Sequence, residues 1–114
     1  MNHFPSNVKF LSTQRYIDGG KSSGNFDNFN LALHVNDNRA NVIENRKILK
    51  VQFDLPADPV WINQTHSSTC IDAGSIKKSV QADASYSSKL GIVCGVMTAD
   101  CLPLFVSNKD GTMV

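Results

Sequence analysis

The stretch Thr98-Ala99-Asp100-Cys101-Leu102-Pro103 sets a carboxylate beside a thiol, between two apolar runs. Ile92-Val93-Cys94-Gly95-Val96-Met97 precedes it and Leu104-Phe105-Val106 follows it. Both runs predict buried strands, with a break between them at Asp100-Cys101-Leu102-Pro103. A polar pair at the end of a buried strand is costly unless something compensates it. Such strand ends are where α/β and α+β domains carry chemistry. Two readings of the pair stay open on this stretch alone. Cys101 is either a small core residue beside a turn-forming Asp100, or half of a reactive pair.

The chain has 114 residues, which predicts a single domain with a modest core. Apolar residues make up 41% and charged residues 18%, the balance of a folded protein and not of a disordered one. The formal net charge is +1, the lysines and arginines are scattered, and no aromatic set is interleaved with them, so nucleic-acid binding is not expected. No apolar run approaches the roughly 20 residues that cross a bilayer. Met1-Asn2-His3-Phe4-Pro5 lacks the basic start and apolar stretch of a signal peptide, which makes the cytoplasm the expected location. Three cysteines without a C-x-x-C pair do not make a disulfide framework. In a reducing compartment they are core residues, metal ligands or nucleophiles.

Along the chain, Val8-Lys9-Phe10-Leu11-Ser12 reads as a first strand. Residues 13–30, with Gly19, Gly20 and Gly24, read as a long loop, and loops of that length in a small domain are often functional. Leu31-Ala32-Leu33-His34-Val35 reads as a short strand. Asp37 or Asn38 can cap a following helix over residues 39–52, whose apolar stripe is Val42, Ile43, Leu49 and Phe53. Arg46 lies on that stripe. It either snorkels to water or points into a site to hold an anion. Pro56 and Pro59 stop the helix. Val60-Trp61-Ile62-Asn63-Gln64 is a strand ending in the polar turn Thr65-His66-Ser67-Ser68, so His66 parallels Cys101 as a soft donor at a strand end. Residues 70–72 and 82–86 are further short strands. Asp110-Gly111 marks a hairpin turn, and Thr112-Met113-Val114 starts another strand, so a longer domain is expected. One helix among many short strands predicts an α+β (mixed α/β) fold with a mixed sheet.

Taken in order, several motifs become specific together. They are Asn30-Leu31-Ala32-Leu33-His34-Val35 with Asp37; Asn45-Arg46; Trp61-Ile62-Asn63-Gln64-Thr65-His66; Ala82-Asp83-Ala84; and Thr98-Ala99-Asp100-Cys101-Leu102-Pro103. This series resembles the YfiH-type family, also called the multicopper polyphenol oxidoreductase or laccase-domain family, and the purine nucleoside phosphorylases of that type. The resemblance runs from about residue 12 to 114 and implies layered mixed β-sheets flanked by helices. It makes this chain the N-terminal part of such a domain. The loop Arg15-Tyr16-Ile17-Asp18-Gly19-Gly20 is longer than the family's T-x-R-x-G-G.

The resemblance also implies a zinc site. Family histidine and cysteine ligands from N-Q-x-H and T-A-D-C-L-P carry over onto His66 and Cys101. A third ligand, from an H-A-G-W-R-G motif, would fall past Val114. Zinc accepts imidazole and thiolate and with three protein ligands leaves a place for water or substrate. Asp100 beside Cys101 would orient a ligand or take a proton. The implied activity is phosphorolysis of adenosine, inosine, guanosine and methylthioadenosine, with adenosine deamination by a zinc-activated water. The substrates are thus a small purine nucleoside and phosphate. Arg46 and Arg15 are the candidate phosphate anchors, and Asn30 and Gln64 candidate partners of ribose or base.

Three alternatives remain. Copper-dependent polyphenol oxidation is the first, although multicopper sites need many more histidines than the three here. A cysteine hydrolase with Cys101 as nucleophile and a histidine as base is the second. A non-catalytic interaction or folding unit is the third.

Overall fold

Asn38 opens helix α1, Arg39–Gln52, in a computed structural model that describes residues 3–114. Its side-chain oxygen accepts the otherwise unsatisfied amides of Ala40 at 2.9 Å and Asn41 at 3.3 Å. The helix closes in a Schellman motif. Asp54 takes a left-handed φ of 50°. Its amide bonds to Val51 O at 3.2 Å, and that of Leu55 reaches back to Lys50 O at 2.9 Å. Pro56 follows immediately.

The chain divides into two compact units, Ser12–Leu55 and the remaining residues, 3–11 with Pro56–Val114. In the first, α1 buries Val42 and Leu49, and Phe29 is buried from the loop before the helix. Burying such side chains is worth about 1.5–3 kcal/mol each. Between Val42 and Leu49 on the same face sits Asn45, which is 0% exposed. Its carboxamide accepts from the Lys21 amide at 2.8 Å and donates to Ser22 Oγ at 2.9 Å and Asn30 O at 2.8 Å. The long loop is therefore pinned to the helix by a buried, fully used side chain. A 3₁₀ turn, Gly24–Phe26, is the regular element inside that loop. Gly20 has no room for a side chain, since a Cβ there would lie 2.6 Å from Asn28.

In the second unit, strands β1, Cys70–Asp72, and β2, Ala84–Tyr86, pair in parallel with Cys70 opposite Ala84 and Asp72 opposite Tyr86. Shorter parallel bridges join Val60 to Cys94 and Asn63 to Gln81. The segment 60–63 thus bonds to 93–94 near its start and to 80–82 near its end. Ile62, Ala73 and Ala82 are buried there. At the C-terminal side, Gly111 with φ 71° turns the chain, the Asn108 amide bonds to Met113 O at 3.1 Å, and Val114 and Ser87 exchange two backbone bonds. The result is an α+β chain. Among the described residues no helix is long and apolar enough to cross a membrane.

Two kinds of expectation differ from the structure. Residues 8–12, 31–35, 104–106 and 112–114 form no strand, and 60–64 and 92–97 contribute only the isolated bridges at Val60, Asn63 and Cys94. Polar groups take the backbone of 31–35 instead: Arg46 Nε donates to Leu31 O, and the Asn30 carboxamide bonds both the amide and the carbonyl of Ala32. The apolar runs around Asp100-Cys101 are not buried throughout either. Leu104 is 80% and Val106 73% exposed, while Phe105 packs against Phe10 with ring centroids 5.3 Å apart. Extended chain alternates its side chains, so Phe105 meets Phe10 while its neighbours point to solvent, and Phe105 itself stays 44% exposed.

Candidate functional site

The turn that carries His66 is built around a carboxylate. Ala82 is buried, and the amide that it carries bonds to Asn63 O, while those of Asp83 and Ala84 bond to Thr69 O. The 82–84 segment is thereby fixed to the chain on both sides of the 65–67 turn. Alternation sends the Asp83 side chain to the opposite face from Ala82. There Oδ1 accepts the amides of Thr65 at 3.1 Å and Ser67 at 2.7 Å and the Ser67 hydroxyl at 2.8 Å. Oδ2 accepts the His66 amide at 3.0 Å. The Ser67 amide foremost, opposed by burial and joined by the Ser67 hydroxyl and the Thr65 and His66 amides, holds the Asp83 carboxyl down at about 2. His66 stands at the centre with φ 59°, a left-handed backbone that costs a non-glycine residue on the order of 1–2 kcal/mol. Its side chain is exposed.

Two residues before His66, Gln64 ties down the segment that leads to Asp100 and Cys101. Its Nε2 donates to Met97 O at 2.8 Å and its Oε1 accepts the Met97 amide at 2.7 Å. A side-chain amide here does the work of a strand neighbour. It ties the end of the 60–64 segment to the residue from which Thr98-Ala99-Asp100-Cys101 departs. Asp100 and Cys101 are both exposed. Cys94 contrasts with Cys101: it is half-buried, and burial first of all pushes its thiol up, softened by Ser85 and reinforced by Cys70 and Asp72. Cys94 behaves as packing and Cys101 stands open to solvent.

The remaining candidates lie in the 12–55 unit. Arg15 donates from Nε to Asp27 O at 3.1 Å and from Nη2 to Asn25 O at 3.2 Å, with its guanidinium 5.4 Å from the Tyr16 ring centroid. Arg46 is half-buried, and burial followed by the charge of Arg39 lowers its guanidinium pKa. Its Nε holds Leu31 O at 2.9 Å. Asn30 bonds to Ala32 and gives its amide to Asp37 Oδ2 at 3.1 Å. Asp37 also accepts from the Ser22 hydroxyl and, at 2.7 Å, from the Asn38 amide.

The structure therefore attaches the His66 turn and the Asp100-Cys101 segment to one framework, through Asp83 and Gln64. It also shows Asp83 and Asn45, named only as parts of motifs, and Asp37, expected only as a possible helix cap, each gathering several hydrogen bonds. The alternation Ala82-Asp83-Ala84, a charge between two small residues, was the available signal for the first. Asn45 on the Val42–Leu49 face was the signal for the second. Imidazole and thiolate are donor types that suit zinc. Among the described residues, however, no group of three or more His, Cys, Asp or Glu side chains forms a possible metal site. His66 and Cys101 are donors of the kind that suits the ion.

With this arrangement in view, the family is clear. Residues 9–114 match the family model described as multi-copper polyphenol oxidoreductase laccase, and the chain belongs to that family. Among curated relatives, it is 44% identical over 111 residues to purine nucleoside phosphorylase YfiH of Escherichia coli, covering 96% of this chain and 45% of that protein. It is 39% identical over 110 residues to the purine nucleoside phosphorylase of Haemophilus influenzae, covering 96% of this chain and 44% of the relative. A crystal structure of a Neisseria meningitidis protein, family model DUF152, superposes with a TM-score of 0.89 at 38% identity, over 99% of this chain and 46% of that one. The chain thus spans less than half the length of the relatives it matches.

Proposed function

We propose that this chain belongs to a zinc-dependent purine nucleoside enzyme that cleaves adenosine, inosine, guanosine or methylthioadenosine with phosphate and also deaminates adenosine in the cytoplasm. The observation that carries the reading is the 44% identity, over 96% of the chain, to a relative named purine nucleoside phosphorylase. The exposed donors His66 and Cys101, on anchored segments, support it.

In this reading His66 and Cys101 hold the zinc together with a donor from outside residues 1–114. The bound ion supplies Lewis acidity and an acidic water. Asp100 takes or returns a proton at the reacting group. In phosphorolysis a phosphate oxygen bonds to the ribose C1′ as the glycosidic bond breaks. The base leaves with the electron pair and takes up a proton. A cation must hold the dianion for that attack, and Arg15 and Arg46 are the proposed anchors. In deamination, water adds at the amino-bearing carbon and ammonia leaves. Gln64 and Asn30 are the proposed partners of ribose or base, set on the backbones they hold at Met97 and Ala32.

The family description favours a second reading, copper-dependent oxidation of polyphenols. One experiment separates the two. The natural full-length protein is analysed for metal by mass spectrometry and incubated with adenosine and phosphate. Stoichiometric zinc with release of adenine or inosine, both lost in His66→Ala and Cys101→Ala, is the expected outcome. Stoichiometric copper with turnover of phenols, or no purine product from the zinc-loaded protein, overturns it.

A further inference from the structure

We propose that Asp83 is a positioning residue for His66: by occupying the amide nest of the 65–67 turn, it sets the backbone from which the imidazole is presented. The inference rests on the reading of His66 as a metal donor. Three consecutive amides, from Thr65, His66 and Ser67, converge on the one carboxylate at 3.1, 3.0 and 2.7 Å. Successive N–H groups converge in this way when residues of opposite backbone hand alternate, forming a concavity that binds an anion. Here the residue of opposite hand is His66, at φ 59°, and the anion is supplied by the chain itself. The histidine's left-handed backbone and the seating of Asp83 are therefore one feature seen from two sides.

Packing does not impose that conformation, because the His66 side chain is exposed. Glycine would meet the backbone demand without cost. A histidine at this φ keeps an imidazole at the site and depends on the carboxylate for its direction. Without the acceptor, three converging donors face one another, the nest opens, and His66 returns to the negative-φ region. The imidazole then leaves the turn in another direction. Asp83 thus belongs to the partners that orient a donor without touching the ion.

Asp83→Asn separates positioning from folding. The asparagine oxygen can still accept from Thr65 and Ser67, where Oδ1 does now, while its NH₂ is set against the His66 amide. The natural full-length protein is compared with its Asp83→Asn, His66→Ala and double variants. Amide hydrogen exchange is measured on the metal-free proteins. Cobalt(II) is then titrated in, following its d–d bands and the thiolate-to-cobalt charge transfer expected from Cys101. In Asp83→Asn we expect native far-UV circular dichroism, loss of protection at the His66 amide, and cobalt affinity weakened about 10- to 100-fold. The thiolate band persists at saturation. In the His66→Ala background, Asp83→Asn causes no further loss, because its effect passes through the imidazole. Cobalt binding by Asp83→Asn at natural affinity, or an equal loss with and without His66, overturns the inference. A natural full-length protein that takes up no cobalt sinks the metal reading instead. The hold of Asp83 on His66 is then decided by the exchange of the His66 amide alone.

Discussion

At the scale of single residues, the two aspartates Asp37 and Asp83 follow one rule: a carboxylate placed where donors converge organises a turn that apolar contacts cannot. Asp37 gathers the Ser22 hydroxyl, the Asn30 amide and the Asn38 backbone amide. Burial is the largest influence on it and acts to raise its pKa. The three hydrogen bonds together outweigh burial and leave it below the ordinary aspartate value of 3.8. The folded chain therefore holds this proton less tightly than the unfolded one. The stabilisation is complete above the unfolded value and fades as pH falls through the lowered folded value. Comparing melting temperatures of the natural chain and Asp37→Asn across a pH series tests this. The gap should be constant from neutral pH down to about 5 and close below 3.8. A gap that widens on acidification would show that burial dominates and that the carboxyl is held protonated.

At the scale of elements, helix α1 has one favourable end and one that can be improved. Asn38→Ala removes the acceptor for Ala40 and Asn41 and should cost about 1 kcal/mol. Asp54→Gly keeps the Schellman bonds and relieves a left-handed non-glycine residue, which should gain about 0.5–1 kcal/mol. The two ends lie more than ten ångströms apart along the helix axis, roughly 21 Å at 1.5 Å per residue, so the effects should add. The double variant should unfold at nearly the natural urea midpoint, and a double variant as weak as Asn38→Ala alone would refute the Asp54 account. Both ends of this helix were legible in the sequence because their signals are local: Asn38 touches the first turn, and Pro56 follows the last. Asn45 was not legible, because its partners Lys21, Ser22 and Asn30 lie in a loop whose path no periodicity encodes. The same limit explains residues 31–35. Their composition favours a strand, but a strand needs a ladder partner, and here Arg46 and Asn30 take those backbone groups first. His66 and Cys101 stood out in the sequence after apolar runs, but those runs form isolated bridges and open chain in place of the expected strands. The nest that presents His66 was not legible, since it joins a turn to an aspartate 16 to 18 residues later.

At the scale of the 114-residue chain as a whole, Leu102, Leu104 and Val106 form an exposed apolar run. These side chains are 84%, 80% and 73% exposed, while Phe105 between them packs on Phe10 and is 44% exposed. The uncovered face of an extended segment, apolar at every second position, favours edge-to-edge pairing. It also adds little to the fold, because side chains so exposed bury little area. The two statements predict opposite responses to one change. In Leu104→Lys/Val106→Lys, the concentration-dependent sedimentation of the chain should fall toward that of a monomer. The urea midpoint should move by no more than about 0.5 kcal/mol per site. Phe105→Ala is the contrasting variant. It removes the ring that packs on Phe10, so it should lower stability more than the lysine pair does and leave that pair's gain in solubility unmatched. Equal loss of stability in both variants would show that the outward face is packed in solution, and the assignment of inside and outside along residues 102–106 would have to be reversed.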